Sequence, residues 1–514
     1  FSKILVFSGW EMVPRSIATL LSYEAEKLTV GKLIAQTEKA GKKKSKKKRK
    51  KRDNESENRT YFAKNRFPTS RFTFKMLNNE PANMNSLCLL YPSITLVKLF
   101  NPIEVLNEKL TIKELKDQIR LQLANRLSSI EYKKKEDNSR QDQQWYYMAP
   151  LLLDKQNDVI RAWFDQKGFI DQEDGNQTAL TKHFEKLREL YFQEEQPLLG
   201  RMPDDLLDIL TNMVIGSPAL AALRMLRRET PQTLTQAVSI AKTIIDQFNN
   251  QESIAIVDLE YGTGNEDAHW KNVLKYCVDG NIQAMFDEYA HMLTEGMDLS
   301  IEGREETNKT LTNEMTNSIK THSASLNVDT FNQFQNRIKN KKVKQMKMRT
   351  NYAVGFYMEK NDDQSSRRKD SIRLAFNSPF RPFVLASTSI GQEGLDFHYY
   401  CRKIVHWNLP SNPIDLEQRE GRINRYKCLA IRKNIASKYK HIHFNEDIWN
   451  EMFEEAKKQE RKKDSCELVP FWCLSDNPSF KIERIVPSYP LSRDGIKYNR
   501  LMNILALYRL SLGQ

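Results

Sequence analysis

Three short apolar segments of strand-forming residues lie near the two ends of this chain, and a long helical stretch separates them. Lys3–Ser8 is the first, and Phe383–Thr388 and Ile404–Trp407 are the other two. Because strands must pair to satisfy their backbone hydrogen bonds, these distant segments should meet in one sheet. Alternation of strands with helices predicts that the sheet is parallel. The expected fold is therefore α/β, with the sheet interrupted along the chain by a large all-helical insertion.

Helical periodicity dominates the rest of the sequence. Arg15–Leu28 should be a helix that buries Ile17, Leu20, Leu21 and Leu28 on one side. Asn412-Pro413 is a helix start, since asparagine caps and proline fits the first turn; this helix should run to about Arg425. In the insertion, helices are expected at Leu110–Leu127, Thr181–Phe192, Pro203–Val214, Ala219–Arg227, Thr233–Phe248 and Trp270–Leu293.

The formal net charge is +14, and one segment supplies most of it. Lys42–Arg52 reads KKKSKKKRKKR, with ten positive charges, so the remaining chain is only mildly basic. Such a run repels itself and is expected to stay disordered until it meets a polyanion. A non-specific phosphate tether and a merely solvated loop explain it equally well.

The pattern that most directly suggests chemistry is Gln418-Arg-Glu-Gly-Arg-Ile-Asn-Arg425. On a helix, Gln418, Arg422 and Arg425 would share one face, with Gly421 allowing close approach. Guanidinium groups bind phosphate oxygens bidentately and keep their charge. A surface helix whose arginines pair with Glu417 and Glu420 is the alternative for this spacing.

A second segment, Ser387–Asp396, follows a buried strand directly. Small hydroxyl and glycine residues at a strand end expose backbone N–H groups at the carboxyl edge of the sheet, where open α/β sheets bind ligands. An ordinary turn between strand and loop is the alternative.

Together these segments resemble superfamily-two helicases. Phe383–Phe397 resembles motif V, Gln418–Arg425 resembles motif VI, and Lys3–Ser8 with Gly9 and Trp10 resembles the motif IV strand. The phrase Asn408–Gln418 is similar to Swi/Snf-type ATPases of the bacterial RNA-polymerase-recycling kind and to large bacterial helicases, some of them in phage defence. The resemblance covers Phe1–Lys32 and Tyr352–Ile435. Helical insertions of those bacterial helicases also resemble Asn83–Pro92, Leu206–Leu226 and Trp270–His291.

This resemblance implies a RecA-like lobe, the second of two, and a role for each matching residue. Arg425 would be the arginine finger, with Arg422 beside it on the nucleotide phosphates. The remaining ATP-binding candidates would be Gln418, Gly394, Asp396 and Gly421. The nucleic-acid backbone would be contacted by Ser387, Thr388, Ser8 and Gly9. One departure is Tyr426-Lys427, where Swi/Snf-type proteins usually have Gly-Gln.

The parts that hold Mg-ATP in such enzymes have no match in this sequence. A phosphate-binding loop needs G-x-x-x-x-G-K-[ST], but Leu33 follows Gly31-Lys32 and Lys43 follows Gly41-Lys42. Asp287-Glu-Tyr-Ala-His291 has the letters of a magnesium-binding box at the wrong spacing, inside an expected helix. ATP and Mg²⁺ are therefore expected to be bound mainly by an N-terminal RecA-like lobe of the same protein, and this chain alone should be inactive.

The chain is expected to have five parts. Residues 1–34 and 341–436 would form the split RecA-like lobe, 35–70 a basic linker, 71–340 a mostly helical insertion, and 437–514 a C-terminal extension. The six cysteines form no C-x-x-C pair, so zinc and a disulfide framework are not expected. This cysteine usage fits a reducing cytoplasm, and neither a signal sequence nor an apolar membrane span is expected.

The functional expectation is the C-terminal half of an ATP-dependent helicase or translocase that acts on DNA or RNA. Two alternatives stay open. One is a non-catalytic nucleic-acid-binding scaffold with a degenerate RecA-like lobe. The other is a motor subunit of a multi-protein defence complex.

Overall fold

A computed structural model describes residues 1–36, 69–136, 139–166, 178–262, 266–299, 303–320, 324–329, 331–339, 346–356, 370–388, 395–462, 465–474 and 478–511. The chain divides into two compact units. Phe1–Glu26 and Asn317–Gln514 form an α/β unit, and Lys27–Thr316 form a helical unit. The lysine run Lys42–Arg52 lies outside the described residues.

The α/β unit begins with strand β1 (Lys3–Ser8), as its apolar sequence predicts, followed by helix α1 (Met12–Glu26). The buried face of α1 differs from the expected one, because Leu20 and Leu21 are 66% and 44% exposed. Its buried residues are Pro14, Ala18, Ser22 and Glu26. Small side chains let a helix approach a sheet closely, and the Ser22 hydroxyl lies 3.4 Å from the carbonyl oxygen of Ala353. Close packing on the sheet has therefore overridden the apolar periodicity of this helix.

The helical unit begins with a short π-helical turn, Lys27–Gly31. Its strands are two residues long and form two separate pairs: β2 (Met76–Leu77) with β3 (Glu80–Pro81), and β4 (Lys133–Lys134) with β5 (Leu198–Leu199). A 3₁₀ helix spans Met84–Leu89. The α-helices are α2 (Ile94–Val97), α3 (Pro102–Glu108), α4 (Ile112–Ser128), α5 (Trp145–Leu153), α6 (Asp158–Asp165), α7 (Ala179–Phe192), α8 (Leu206–Gly216), α9 (Pro218–Leu226), α10 (Pro231–Phe248), α11 (Gln251–Tyr261), α12 (Glu266–Asp279) and α13 (Ile282–Gly296).

Local capping explains several of these helix starts. Thr111 and Glu114 form a capping box at the start of α4, in which each side chain accepts a hydrogen bond from the backbone N–H of the other residue. The expected helix Trp270–Leu293 is wrong as a single element. It is divided into α12 and α13 by a turn in which Asn281 adopts a left-handed conformation, with φ of 48°. His291 lies within α13 and is buried, so the Asp287–His291 segment is helical as expected.

One stretch of the described residues, Leu206–Leu226, is long and apolar enough to cross a membrane by length and composition. Helices are expected in this stretch from the sequence, at Pro203–Val214 and Ala219–Arg227, and no membrane span is expected there. Its residues form α8 and α9, and 83% of the apolar window is buried inside the structure. A mostly buried stretch of this kind is typical of core helices.

The chain returns to the α/β unit through α14 (Arg304–Ile319), which spans the boundary between the units. An antiparallel hairpin of β6 (Ala324–Val328) and β7 (Met346–Thr350) follows, with α15 (Phe331–Ile338) between its strands. The remaining elements are β8 (Ala353–Phe356), a short helix at 370–376, β9 (Val384–Thr388), β10 (Cys401–His406), α16 (Pro413–Glu420), α17 (Leu429–Tyr439), α18 (Ile448–Glu460), β11 (Glu483–Ile485) and α19 (Asp494–Ser511).

Five of these strands form one parallel sheet in the order β11-β10-β1-β9-β8. Strand β1, from the start of the chain, lies at the centre between β10 and β9. The sheet core includes Leu5, Phe7, Leu385, Phe397 and Ile404, all at most 1% exposed. This arrangement confirms the expected α/β fold, a parallel sheet interrupted along the chain by a helical insertion. The insertion is mostly rather than entirely helical, because it contains two pairs of two-residue strands. The finer division into five parts stays a prediction.

Candidate functional site

Two segments that are separate in sequence meet through Arg425 and Asp396. Nε of Arg425 donates a hydrogen bond to Oδ1 of Asp396 at 2.9 Å. The two side chains are 42% and 43% exposed, so the ion pair lies at the surface. Asp396 is itself held by Asn377, whose Nδ2 donates to the Asp396 carbonyl oxygen at 2.7 Å. The chain that follows β9 and the chain that follows α16 thus form one charged, accessible site.

Arg422 lies against the same segment. Its Nη1 donates to the carbonyl oxygen of Leu395 at 3.3 Å, and its own carbonyl oxygen accepts the N–H of Phe397 at 2.8 Å. Both guanidinium groups therefore contact Leu395–Asp396. The structure brings together three of the predicted site residues: Arg422, Arg425 and Asp396.

The expectation of a helix continuing to Arg425 is wrong, because α16 ends at Glu420. The Glu420 carbonyl oxygen accepts the N–H groups of Ile423 and Asn424, each at 3.0 Å, and the chain turns there. Gly421 is the C-cap of the helix and Gln418 is exposed on its last turn. Gln418 and the two arginines therefore do not share one helical face. Gly394 lies outside the described residues, so its placement stays a prediction.

Glu417 and Glu420 of α16 pair with arginines outside the Gln418–Arg425 segment. Glu417 accepts two hydrogen bonds from Arg509 at 2.8 and 2.7 Å. Glu420 accepts a two-point contact from Arg484. Both partners come from the C-terminal part of the chain. The alternative of a helix that satisfies its own arginines is therefore not what the structure has.

The carboxyl ends of β1 and β10 are joined by Asn408. Its Oδ1 accepts the Ser8 hydroxyl at 2.8 Å and the Gly9 N–H at 3.1 Å. Ser8 is buried, whereas Gly9 is exposed and a Cβ added to it would meet nothing within 4 Å. Arg419, which is buried over the Phe7 ring, donates to the Asn408 carbonyl oxygen at 3.2 Å. The Gly9 backbone is thus the solvent-accessible part of the sheet edge formed by the carboxyl ends of β1 and β10.

Ser387 and Thr388 end the neighbouring strand β9. The hydroxyl of Ser387 is buried and lies 3.1 Å from the Phe356 carbonyl oxygen and 2.9 Å from that of Thr388. Thr388 is half-buried and pairs in register with Ser8. The four residues predicted to bind nucleic acid therefore lie together at the carboxyl ends of two adjacent strands, but the hydroxyls of Ser8 and Ser387 already face protein acceptors.

Two histidines lie close to the charged groups. Burial, with the charges of Arg432 and Arg425 adding to it, lowers the pKa of His398 to about 3. Burial also lowers the pKa of His406, although hydrogen bonding to Glu420 opposes that shift. Both rings are therefore neutral near pH 7, so neither adds positive charge to the arginine pair.

Tyr426 and Lys427, which stand where Swi/Snf-type proteins usually have Gly-Gln, pack against aromatic residues further along the chain. The Lys427 ammonium lies 4.2 Å from the centre of the Phe453 ring, and the Lys427 backbone N–H donates to the Phe471 carbonyl oxygen at 2.8 Å. The Tyr426 ring stacks on Phe471 at 5.4 Å between centres. These residues attach the turn to the C-terminal part of the chain.

Residues 308–427 match the helicase conserved C-terminal domain. The match covers less than a quarter of the chain and includes β9, β10, α16 and both arginines. It supports a superfamily-two helicase C-terminal lobe in this part of the chain. No curated protein and no solved structure matches the chain.

The α/β unit contains residues near this site that the sequence alone did not indicate. Asn408 and Arg419 lie inside the segments whose patterns were recognised, so the resemblance offered a signal for them. Arg484 offered none, because its contact with Glu420 joins residues 64 positions apart.

Among the described residues, no cluster of three His, Cys, Asp or Glu side chains could hold a metal ion.

Proposed function

We propose that the α/β unit is the second ATPase lobe of a nucleic-acid helicase or translocase, with Arg425 as arginine finger and Arg422 as a second phosphate contact. The observation that carries the proposal is the Arg425–Asp396 pair. It joins the two segments that resemble motifs V and VI, and both lie within the helicase match.

The exposure of this pair suits a residue that must change partner. Ion pairs at a protein surface contribute about 0–1 kcal/mol, so a ligand can replace them at little cost. A triphosphate offers more negative charge than one carboxylate, and guanidinium groups bind phosphate oxygens in a bidentate manner. Arg425 would leave Asp396 for the phosphoryl group when the nucleotide is bound, and would return after hydrolysis.

ATP and Mg²⁺ are the ligands that this chemistry implies. The donor set of Arg422 and Arg425 fits the phosphates, which carry the group transferred to water. The described residues hold no comparable carboxylate cluster for Mg²⁺, and the sequence has no phosphate-binding loop. An N-terminal RecA-like lobe of the same protein would therefore bind most of the Mg-ATP. Opening and closing between the lobes would drive movement along DNA or RNA.

The nucleic-acid surface of this lobe would be the carboxyl ends of β1 and β9. Gly9 and Thr388 are the more accessible of the four candidates, so their backbone and hydroxyl groups would contact the phosphate backbone directly. Ser8 and Ser387 would act mainly by shaping the ends of their strands. Polar groups at such edges commonly position a nucleic-acid backbone without reading its sequence.

The decisive test is alanine substitution of Arg425 and of Arg422 in the complete protein. Removal of an arginine finger should lower the ATPase kcat by about 10³-fold or more. Affinity for a single-stranded oligonucleotide should stay within about twofold, since neither residue lies at the β1–β9 edge. Turnover at the wild-type rate in both variants would refute the proposal.

The non-catalytic scaffold remains the second candidate, and one observation favours it. Arg425 is already engaged by a carboxylate. In a scaffold that pair would be permanent, and the upstream sequence would lack both a phosphate-binding loop and a D-E-x-H box. The same alanine variants would then leave every activity unchanged.

The finer assignment follows the phrase Asn408–Gln418. Its similarity to Swi/Snf-type ATPases and bacterial defence helicases supports a cytoplasmic, bacterial motor, alone or as a subunit of a defence complex. Tyr426-Lys427 weighs against the remodelling type. Comparing ATPase stimulation by double-stranded DNA, single-stranded DNA and RNA would separate these possibilities.

A further inference from the structure

The end of α16 is held by a carboxylate that three elements share. Glu420, the last residue of α16, accepts hydrogen bonds from Nε of Arg484 and, at 2.6 Å, from its Nη2. Nε2 of His406, the last residue of β10, lies 3.3 Å from Oε1 of the same carboxylate. A two-point contact between arginine and a carboxylate fixes orientation as well as distance. Glu420 is therefore held in one defined position.

Arg484 brings the C-terminal part of the chain to this point. It lies in the middle of β11, which pairs with β10. On its other side, Nη1 donates to the Tyr498 hydroxyl at 3.0 Å and lies 2.9 Å from Sδ of Met502, both on α19. One guanidinium group thus joins the last helix of the chain to the end of α16.

The backbone of Glu420 starts the turn that carries the arginine pair. Its carbonyl oxygen accepts two N–H groups of that turn, from Ile423 and Asn424. Arg422 and Arg425 follow within five residues. A shift of Glu420 therefore moves both guanidinium groups, and misplacement of a reacting group by about 1 Å can lower a rate about 100-fold.

This contact is more buried than its neighbour on the same helix. The Glu420, Arg484 and His406 side chains are 18%, 22% and 0% exposed. Burial would raise the pKa of Glu420, but hydrogen bonds from His406 and Arg484 hold it below its usual value. Arg509 and Glu417, in contrast, are 51% and 30% exposed. Removing Arg484 would leave a largely buried carboxylate without its main partner, whereas removing Arg509 would not.

We propose that Arg484 is a positioning residue for ATP turnover: through Glu420 it fixes the end of α16 and so places Arg422 and Arg425. This inference rests on the proposed function above. If so, β11 and α19 affect the position of the turn that carries Arg422 and Arg425.

The experiment compares three variants of the complete protein in a steady-state ATPase assay. Arg484→Ala should lower kcat by about 10- to 100-fold while the KM for ATP changes by less than about threefold. Arg484→Lys keeps the charge without the two-point contact and should recover only part of the loss. The matched control, Arg509→Ala, removes the exposed pair on the same helix and should stay within about twofold of wild type.

Three further measurements separate positioning from loss of structure. Melting temperature and oligonucleotide affinity are measured for every variant, and neither should account for the lower kcat. Glu420→Gln combined with Arg484→Ala should be little worse than either single variant, since both act through one contact. Tyr498→Phe removes one partner of Arg484 and should lower kcat by about two- to threefold.

The outcomes distinguish this inference from the proposed function. A folded Arg484→Ala protein with wild-type kcat, alongside an inactive Arg425→Ala protein, overturns the inference and leaves the proposed function intact. Wild-type turnover in Arg425→Ala overturns the proposed function itself. If Arg484→Ala does not fold, Glu420→Gln and Tyr498→Phe decide, and normal kcat in both overturns the inference.

Discussion

Two arginine–aspartate pairs, one taken from each unit, differ in burial and geometry. In the helical unit, Nη1 and Nη2 of Arg71 contact Asp258 at 2.8 and 2.6 Å, and the side chains are 13% and 1% exposed. In the α/β unit, Arg425 contacts Asp396 through Nε alone, at 42% and 43% exposure. The same two residue types therefore make a buried contact in the first pair and a solvent-accessible contact in the second.

The surroundings extend this difference. The Arg71 backbone N–H donates to Oδ1 of Asn249 at 2.8 Å, and Nδ2 of Asn249 donates to the Phe72 carbonyl oxygen at 3.0 Å. The buried pair is thus part of a clamp that attaches residues 71–72 to the ends of α10 and α11. Arg425 lies on a short turn beyond a helix end, where a change of partner requires less rearrangement. Burial, more than residue type, separates a structural pair from a candidate functional one.

The largest expected effect is on the buried pair. Arg71→Ala leaves the Asp258 carboxylate buried and unpaired, which should lower the free energy of unfolding of the helical unit by about 3–5 kcal/mol. Arg425→Ala, the matched control, should lower that of the α/β unit by at most about 1 kcal/mol. Urea denaturation of both variants measures the difference. Equal losses of stability would remove the distinction between the pairs.

The sequence predicts the strands well because a central parallel strand is apolar along its whole length. Lys3–Ser8 and Phe383–Thr388 stand out for this reason, and their separation implies a split sheet. The sequence also indicates the two segments of the site, Phe383–Phe397 and Gln418–Arg425, since both resemble helicase motifs. The sequence does not predict the contact between Asp396 and Arg425, because these residues lie 29 positions apart.

Features that depend on distant partners are the ones the sequence misses. The end of α16 at Glu420 is held by Arg484, and the turn beyond it by the Phe397 N–H, and a helical pattern contains neither partner. The buried face of α1 is likewise set by the sheet against which it packs. Local periodicity therefore predicts that an element exists better than it predicts where the element ends or which side is buried.

The second expected effect is a difference in acid sensitivity. Burial and the charge of Arg71 lower the pKa of His269 to about 4, below the value of 6.5 for an ordinary histidine. Because the unfolded chain takes up this proton first, stability should fall as the pH drops from about 6.5 towards 4, by up to about 3 kcal/mol. His269→Gln should remove that part of the pH dependence from the helical unit.

Hydrogen exchange of peptides from each unit, measured between pH 7 and 4 and corrected for intrinsic rates, tests this expectation. His398→Gln is the control from the α/β unit, since the His398 pKa is lowered to about 3. The His398→Gln substitution should reduce the pH dependence of hydrogen exchange in the α/β unit only. If His269→Gln leaves the helical unit as acid-sensitive as wild type, His269 does not contribute to its stability in the way that its burial implies.

The smallest expected effect tests whether burial outweighs residue type on a single helix. Ala18 on α1 is 1% exposed, whereas Leu20 is 66% exposed. Ala18→Leu inserts three carbon atoms between the helix and the sheet and should cost about 1–3 kcal/mol. Leu20→Gln, although it removes an apolar side chain, should change the free energy of unfolding by less than about 0.5 kcal/mol. Urea midpoints of the two variants give the comparison. A neutral Ala18→Leu together with a destabilising Leu20→Gln would mean that α1 packs through the apolar face its periodicity predicts, and that residue type outweighs the observed burial there.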